Sequence, residues 1–151
     1  MSLDEKLSED LKASMKAGDT ARMAVLRLLK TRVKEAAVEK RAGLTDDEIL
    51  KVVMSETKKR REAIELFEKG GRGDLAEREK QEIALLEAYL PPKLTAEELT
   101  KLASEAIAEV EAKDARDFGK VMKVLMPKVT GRSDGSEVSK VVKGLLAGDT
   151  D

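Results

Sequence analysis

The chain has 151 residues, of which 41% are hydrophobic and 39% are charged, yet the net charge at pH 7 is only -1. This length suits one ordinary domain or two small ones, and the balanced charge excludes strong long-range attraction to RNA or to an anionic membrane beyond what local patches supply. The absence of Cys and His excludes disulfides, thiol nucleophiles, imidazole bases and the usual zinc sites, so we expect no metal and no cofactor.

The beginning of the chain, MSLDEKLSEDLK, is charged and amphipathic, without the apolar stretch of a secretion signal. No run in the sequence approaches the roughly 20 apolar residues that a membrane span requires. We therefore expect a cytoplasmic protein that has no membrane partner.

Apolar residues recur at helical spacing through the first part of the chain and predict four helices there. Capping-box patterns mark two of the helix starts, at Ser2 with Glu5 and at Thr45 with Glu48. The four predicted helices run from Ser2 to Gly18, from Thr20 to about Ala42, from Thr45 to Gly70 and from Asp74 to Pro91.

Two consecutive prolines, Pro91 and Pro92, form the clearest boundary in the sequence. Thr95 and Glu98 then give a third capping-box pattern, and two more amphipathic segments follow that helix. No segment alternates with the period of two that strands require. The sequence therefore predicts an all-α fold with two small helical bundles: an N-terminal bundle of about four helices over residues 1–92 and a C-terminal three-helix domain over residues 93–151.

Residues 118–133 contain four cations and no acidic residue. Apolar spacing predicts a helix from Phe118 that Pro127 ends, and Ser136 is predicted to cap the last helix and to offer its N-terminus to an anion. The candidate phosphate-contacting residues of this segment are Lys120, Lys123, Lys128 and Arg132. A solvated helix face is the alternative interpretation of the same residues.

A second acid-free run extends from Thr20 to Lys34. Arg27, Lys30 and Lys34 are spaced at i, i+3 and i+7, which places them along one edge of the predicted second helix. They are further candidates for contacts to RNA phosphates, again with a solvated face as the alternative. The chain has only three aromatic residues, so stacking of single-stranded bases is disfavoured. The RNA-binding hypothesis is therefore limited to recognition of the backbone of folded RNA.

Three segments resemble the GatB/YqeY family: LRLLKTRVKEA from Leu26, GRGDLAEREKQEIALLEAYLPPKLTAEEL from Gly71 and GKVMKVLMPKVTGRSDG from Gly119. The chain is similar to the helical and tail domains at the C-terminus of the B subunit of the glutamine-dependent aspartyl/glutamyl-tRNA amidotransferase. The resemblance implies two helical bundles and a role near tRNA, with Lys120, Lys123, Lys128 and Arg132 where a tRNA-contacting tail places its cations. Ser133 stands where related tails commonly carry Ala.

Three functional hypotheses follow. The first is a non-catalytic module that binds structured RNA, in particular tRNA, through backbone contacts. The second, from the resemblance, is an accessory to the tRNA amidotransferase or a participant in amide transfer from glutamine, although no residue set resembles a catalytic apparatus. The third is a protein-interaction module in which the apolar remainder of the second bundle covers a partner helix. The protein partners that we expect are the amidotransferase or other translation proteins.

Overall fold

A computed structural model describes residues 1–148, and within this range the chain forms helices and no strand. The prediction of an all-α fold is therefore confirmed. The seven α-helices are α1 (Leu3–Ala17), α2 (Thr20–Lys40), α3 (Asp46–Lys69), α4 (Gly73–Glu87), α5 (Ala96–Glu109), α6 (Phe118–Val129) and α7 (Gly135–Leu146). A short 3-10 helix, Ala115–Asp117, precedes α6.

The chain forms two compact units, the first comprising Met1–Leu90 and the second beginning at Pro91. The end of the predicted C-terminal domain, residues 149–151, lies outside the described residues. In the first unit, α1 to α4 surround one apolar core. Its buried members are Leu7, Val25, Leu26, Leu29, Val33, Ile49, Val53 and Leu86.

The second unit has an apolar core of its own, built by α5, α6 and α7. Its buried members are Leu94, Leu99, Ala103, Ala106, Val121, Leu125, Val129, Val138 and Val142. The backbone N–H of Leu94 donates a hydrogen bond of 2.9 Å to the carbonyl of Arg132, so the entry to α5 is tied to the turn between α6 and α7.

The three predicted capping boxes are all present. In each, the hydroxyl of the first residue accepts from the backbone N–H three positions later, and the glutamate there accepts from the backbone N–H of the first residue. The box of Thr45 and Glu48 also receives the Lys40 ammonium, at 2.6 Å from the Glu48 carboxylate. Hydrogen bonds from Lys40 and from Thr45 lower the pKa of Glu48 to about 2, so this carboxylate is ionised at any ordinary pH.

The prediction that Pro127 ends its helix is wrong, because α6 continues through this residue to Val129. Pro127 lies in the last turn, where only one intrahelical N–H is lost. The helix is retained because Val129 is fully buried in the core of the second unit and Thr130 N–H still bonds to the Met126 carbonyl at 3.0 Å. Gly131, with φ of 81°, then turns the chain in the left-handed region that favours glycine.

The prediction that Ser136 caps the last helix is also wrong. Asp134 is the N-cap, and its carboxylate accepts a hydrogen bond of 3.1 Å from the backbone N–H of Ser136, which lies inside α7. Both residue types are good caps, and the turn geometry places the aspartate at the position with extended backbone, φ -70° and ψ 138°.

Candidate nucleic-acid interface

The four candidate cations of the second unit differ in how far they are neutralised by carboxylates. The Lys128 ammonium lies 3.2 Å from the Glu109 carboxylate across the α5–α6 packing. Arg132 donates from Nε to the carbonyl of Pro92 at 2.9 Å and lies 3.9 Å from Glu98. Both side chains are thereby held within the unit, so neither is a free cation.

Lys120 and Lys123 remain more available on the exposed side of α6. The Lys120 ammonium makes a loose ion pair of 3.9 Å with Asp117, and its side chain is 72% exposed. Lys123 is exposed and has no ion pair within residues 1–148. Three of the four predicted cations therefore have a carboxylate within 4 Å, although Lys120 remains largely exposed, and Lys123 alone has none among the described residues.

The start of α7 already carries a negative group. The Asp134 carboxylate occupies the Ser136 N–H, and Glu137 adds a second acidic side chain in the first turn. Carboxylates at a helix N-terminus satisfy the same partial positive charge that a phosphate would use. Binding of an external anion at Ser136 stays a prediction, and any such anion has to compete with Asp134.

The candidate cations of α2 are less neutralised. Arg27 and Lys34 are exposed and form no ion pair with any part of the chain that the structure describes. The Lys30 ammonium donates to the hydroxyl of Ser8 on α1, a neutral partner that leaves its charge uncompensated. The structure thus brings Arg27, Lys30 and Lys34 together along one side of α2.

Two further cations of the same run, which were not among the candidates, are engaged in the fold. Arg22 lies 3.7 Å from the Asp10 carboxylate on α1. Arg32 contacts both the exposed Glu35, at 3.1 Å, and the buried Glu56 of α3, at 3.3 Å. Sequence spacing alone does not separate these structural arginines from the accessible α2 residues, because their partners lie on other helices.

A groove in the first unit, which the sequence reasoning missed, begins at these α2 residues. It has a volume of 420 Å³ and is lined on one side by Lys30 and Lys34, and on the α1 side by Asp4. Its apolar lining residues, which we call its floor, are Val33, Ala37, Leu44 and Ile49. The only hint of it in the sequence is the i, i+4 spacing of the two lysines beside the inward stripe of α2.

Each of the three aromatic side chains packs partly against the fold. Phe67, Tyr89 and Phe118 are all partly buried, and the Lys143 ammonium covers the Phe118 ring at 5.4 Å from its centroid. The Tyr89 hydroxyl donates to the Asp10 carboxylate at 2.5 Å. Burial and this carboxylate raise the pKa of Tyr89 to about 12, so its hydroxyl stays neutral and donates the hydrogen bond. This bond links the segment that follows α4 to α1.

Within residues 1–148, no group of three or more acidic, His or Cys side chains is placed to hold a metal ion. No helix in the same range is both long and apolar enough to span a membrane.

Comparison with known proteins gives the family. The profile of the family described as Yqey-like protein matches residues 4–146. A protein of Eremothecium gossypii, named Altered inheritance of mitochondria protein 41, mitochondrial, is 33% identical over 109 residues, 70% of this chain and 60% of its own length.

A protein of the same name from Pyrenophora tritici-repentis is 26% identical over 144 residues, 93% of this chain and 79% of its own length. An uncharacterized protein of Schizosaccharomyces pombe is 33% identical over 89 residues, 59% of this chain and 72% of its own length. This chain thus spans about three fifths of the Eremothecium protein and about four fifths of the Pyrenophora protein. The profile match covers nearly the whole chain, and the chain belongs to the Yqey-like protein family.

Proposed function

We propose that this protein is a non-catalytic module that binds the phosphate backbone of structured RNA through the α2 edge, which we define as Arg27, Lys30 and Lys34. One observation carries the proposal: these three cations share one side of α2, and no carboxylate pairs with any of them in residues 1–148. Lys120 and Lys123 on α6 form a second, smaller set.

The geometry of the α2 edge suits a sugar-phosphate backbone. Arg27 and Lys34 are seven residues apart, which corresponds to about 10 Å along a helix axis. Each accessible cation replaces roughly one counterion on the nucleic acid, so a contact of this kind is strongly weakened by salt. The near-neutral total charge limits the affinity to what these local groups supply.

The resemblance to the tail of the tRNA amidotransferase B subunit supports tRNA as the RNA. It equally supports the alternative of an accessory to that enzyme, or a participant in amide transfer. Addition of the purified protein to the core amidotransferase distinguishes the two: a change in the amidation rate favours the accessory role, and tRNA binding without such a change favours the binding module. A cytoplasmic location belongs to the same proposal. Two relatives carry the word mitochondrial in their names, so cell fractionation is needed to decide between the two locations.

Fluorescence anisotropy with labelled tRNA tests the RNA proposal directly. We expect wild-type affinity to fall steeply between low and physiological salt, and the double variant Arg27→Glu/Lys34→Glu to bind at least about tenfold more weakly, with a salt slope smaller by about 2. The variant Lys120→Glu/Lys123→Glu reports the contribution of α6.

The matched control is Lys58→Glu/Lys69→Glu, which makes the same change in net charge on exposed positions of α3. It should bind nearly as well as the wild type. Equal losses in the control and in the α2 variant would show a non-specific charge effect and remove the site assignment. Absence of wild-type binding at low salt would overturn the RNA proposal itself.

A further inference from the structure

The groove beside α2 has the composition of a small-ligand site. Its volume of 420 Å³ falls within the range of about 300–1,000 Å³ that is usual for such sites. Its floor is aliphatic and its walls carry a few polar groups from different helices. We refer to it as the α2 groove.

The charges around the α2 groove are placed asymmetrically. Lys30 and Lys34 are four residues apart on one wall, so their Cβ atoms lie about 5–6 Å from each other. Ser8 holds the Lys30 ammonium at the α1 side, and Lys34 has no ion pair in the part of the chain that is described. Asp4, which lines the groove from α1, supplies an acceptor for hydrogen-bond donors.

We propose that the α2 groove binds a single nucleotide. Two lysines on successive turns of α2 match the charge of a phosphate, which a single cation would leave partly uncompensated. The aliphatic floor of Val33, Ala37 and Leu44 accepts the flat apolar body of a base, and Asp4 accepts from a ribose hydroxyl or an exocyclic amine.

Two sources supply the same ligand chemistry: a free mononucleotide, and one unpaired nucleotide that protrudes from a folded RNA. The chemistry is shared, and only the second source rests on the proposed function. In that case the phosphates on either side of the protruding nucleotide lie along the α2 edge, because Lys30 and Lys34 belong to both the edge and the groove.

Two single variants alter different properties of the α2 groove, its volume and its charge. Ala37→Leu fills the floor and changes no charge, whereas Lys34→Gln removes one lining cation and adds no bulk. Their matched controls are Val38→Leu, at a neighbouring position that is 70% exposed, and Lys58→Gln on α3. Circular dichroism melting confirms that each variant is folded.

The first measurement is isothermal titration calorimetry with adenosine 5′-monophosphate and with adenosine. We expect the monophosphate to bind, adenosine to bind more weakly, and both groove variants to lose about tenfold in monophosphate affinity, the effect of one charge-assisted contact or one blocked floor. The second measurement compares two RNA duplexes that differ only in one bulged adenosine. Preference for the bulged duplex, lost in Ala37→Leu, identifies the RNA-borne nucleotide as the ligand.

The possible results separate the two proposals. Monophosphate binding that the groove variants weaken, without any RNA binding, supports the groove with a free nucleotide and overturns the RNA proposal. RNA binding without monophosphate binding and without preference for the bulge overturns the groove and leaves the RNA proposal standing. Monophosphate binding that both groove variants retain at wild-type strength also overturns the groove.

Discussion

Ser133, in the turn between α6 and α7, carries a buried hydroxyl with no hydrogen-bond partner among the described residues. A hydroxyl removed from water without a partner costs about 1–3 kcal/mol. An alanine there would keep the packing and remove the unsatisfied group.

We predict that Ser133→Ala raises the free energy of unfolding by about 1 kcal/mol, because the desolvation cost disappears while the burial of the side chain remains. Urea denaturation, followed by circular dichroism, measures the change in the transition midpoint. Ser104→Ala on the exposed side of α5 is the control and should change the midpoint little. A lower midpoint for Ser133→Ala would mean that its hydroxyl has a partner.

The ion pairs of Lys128 and Arg132 could not be predicted from the sequence. The acid-free run at residues 118–133 is real in the sequence, yet Glu109 and Glu98 approach Lys128 and Arg132 from another helix. A window along the chain does not contain partners 19 or more positions away. The spacing of the α2 edge along one side of its helix, in contrast, could be predicted, because that placement depends only on the helical period.

At the scale of the helix, local signals located the starts better than the ends. Each capping box lies within four residues, so Ser2, Thr45 and Thr95 could be recognised from the sequence. The end of α6 could not be, because burial of Val129 outweighs the hydrogen bond that Pro127 removes. Helix α2 ends at Arg41, a residue other than glycine that adopts a left-handed φ of 64°, and the sequence gives no signal for this conformation.

The cap of α7 gives a prediction at this scale. Asp134→Ala should lower the free energy of unfolding by about 1 kcal/mol, since the N–H of Ser136 loses its acceptor and the helix loses a favourable negative charge. Ser136→Ala should have little effect, because its hydroxyl does not cap the helix. Thermal and urea denaturation of the two variants provide the comparison, and a larger loss for Ser136→Ala would restore the serine as the cap.

At the scale of the whole molecule, two apolar cores lie in two stretches of sequence. We predict that a fragment of residues 1–90 folds alone and melts cooperatively, because α1 to α4 enclose its core. A fragment beginning at Pro91 should also be helical but melt at a lower temperature, since a unit of about 60 residues buries a smaller fraction of its surface. Circular dichroism melting of both fragments is the measurement, and a first fragment without a cooperative transition would contradict the prediction.

The three capping boxes affect which substitutions the chain tolerates. Starting a helix is its costliest step, and here that step is assisted by side chains three positions apart that need no distant partner. Each box therefore favours one register of the apolar stripe that follows it, independently of the distant packing partners. Substitutions at exposed positions further along these helices then leave the same apolar face directed into the core.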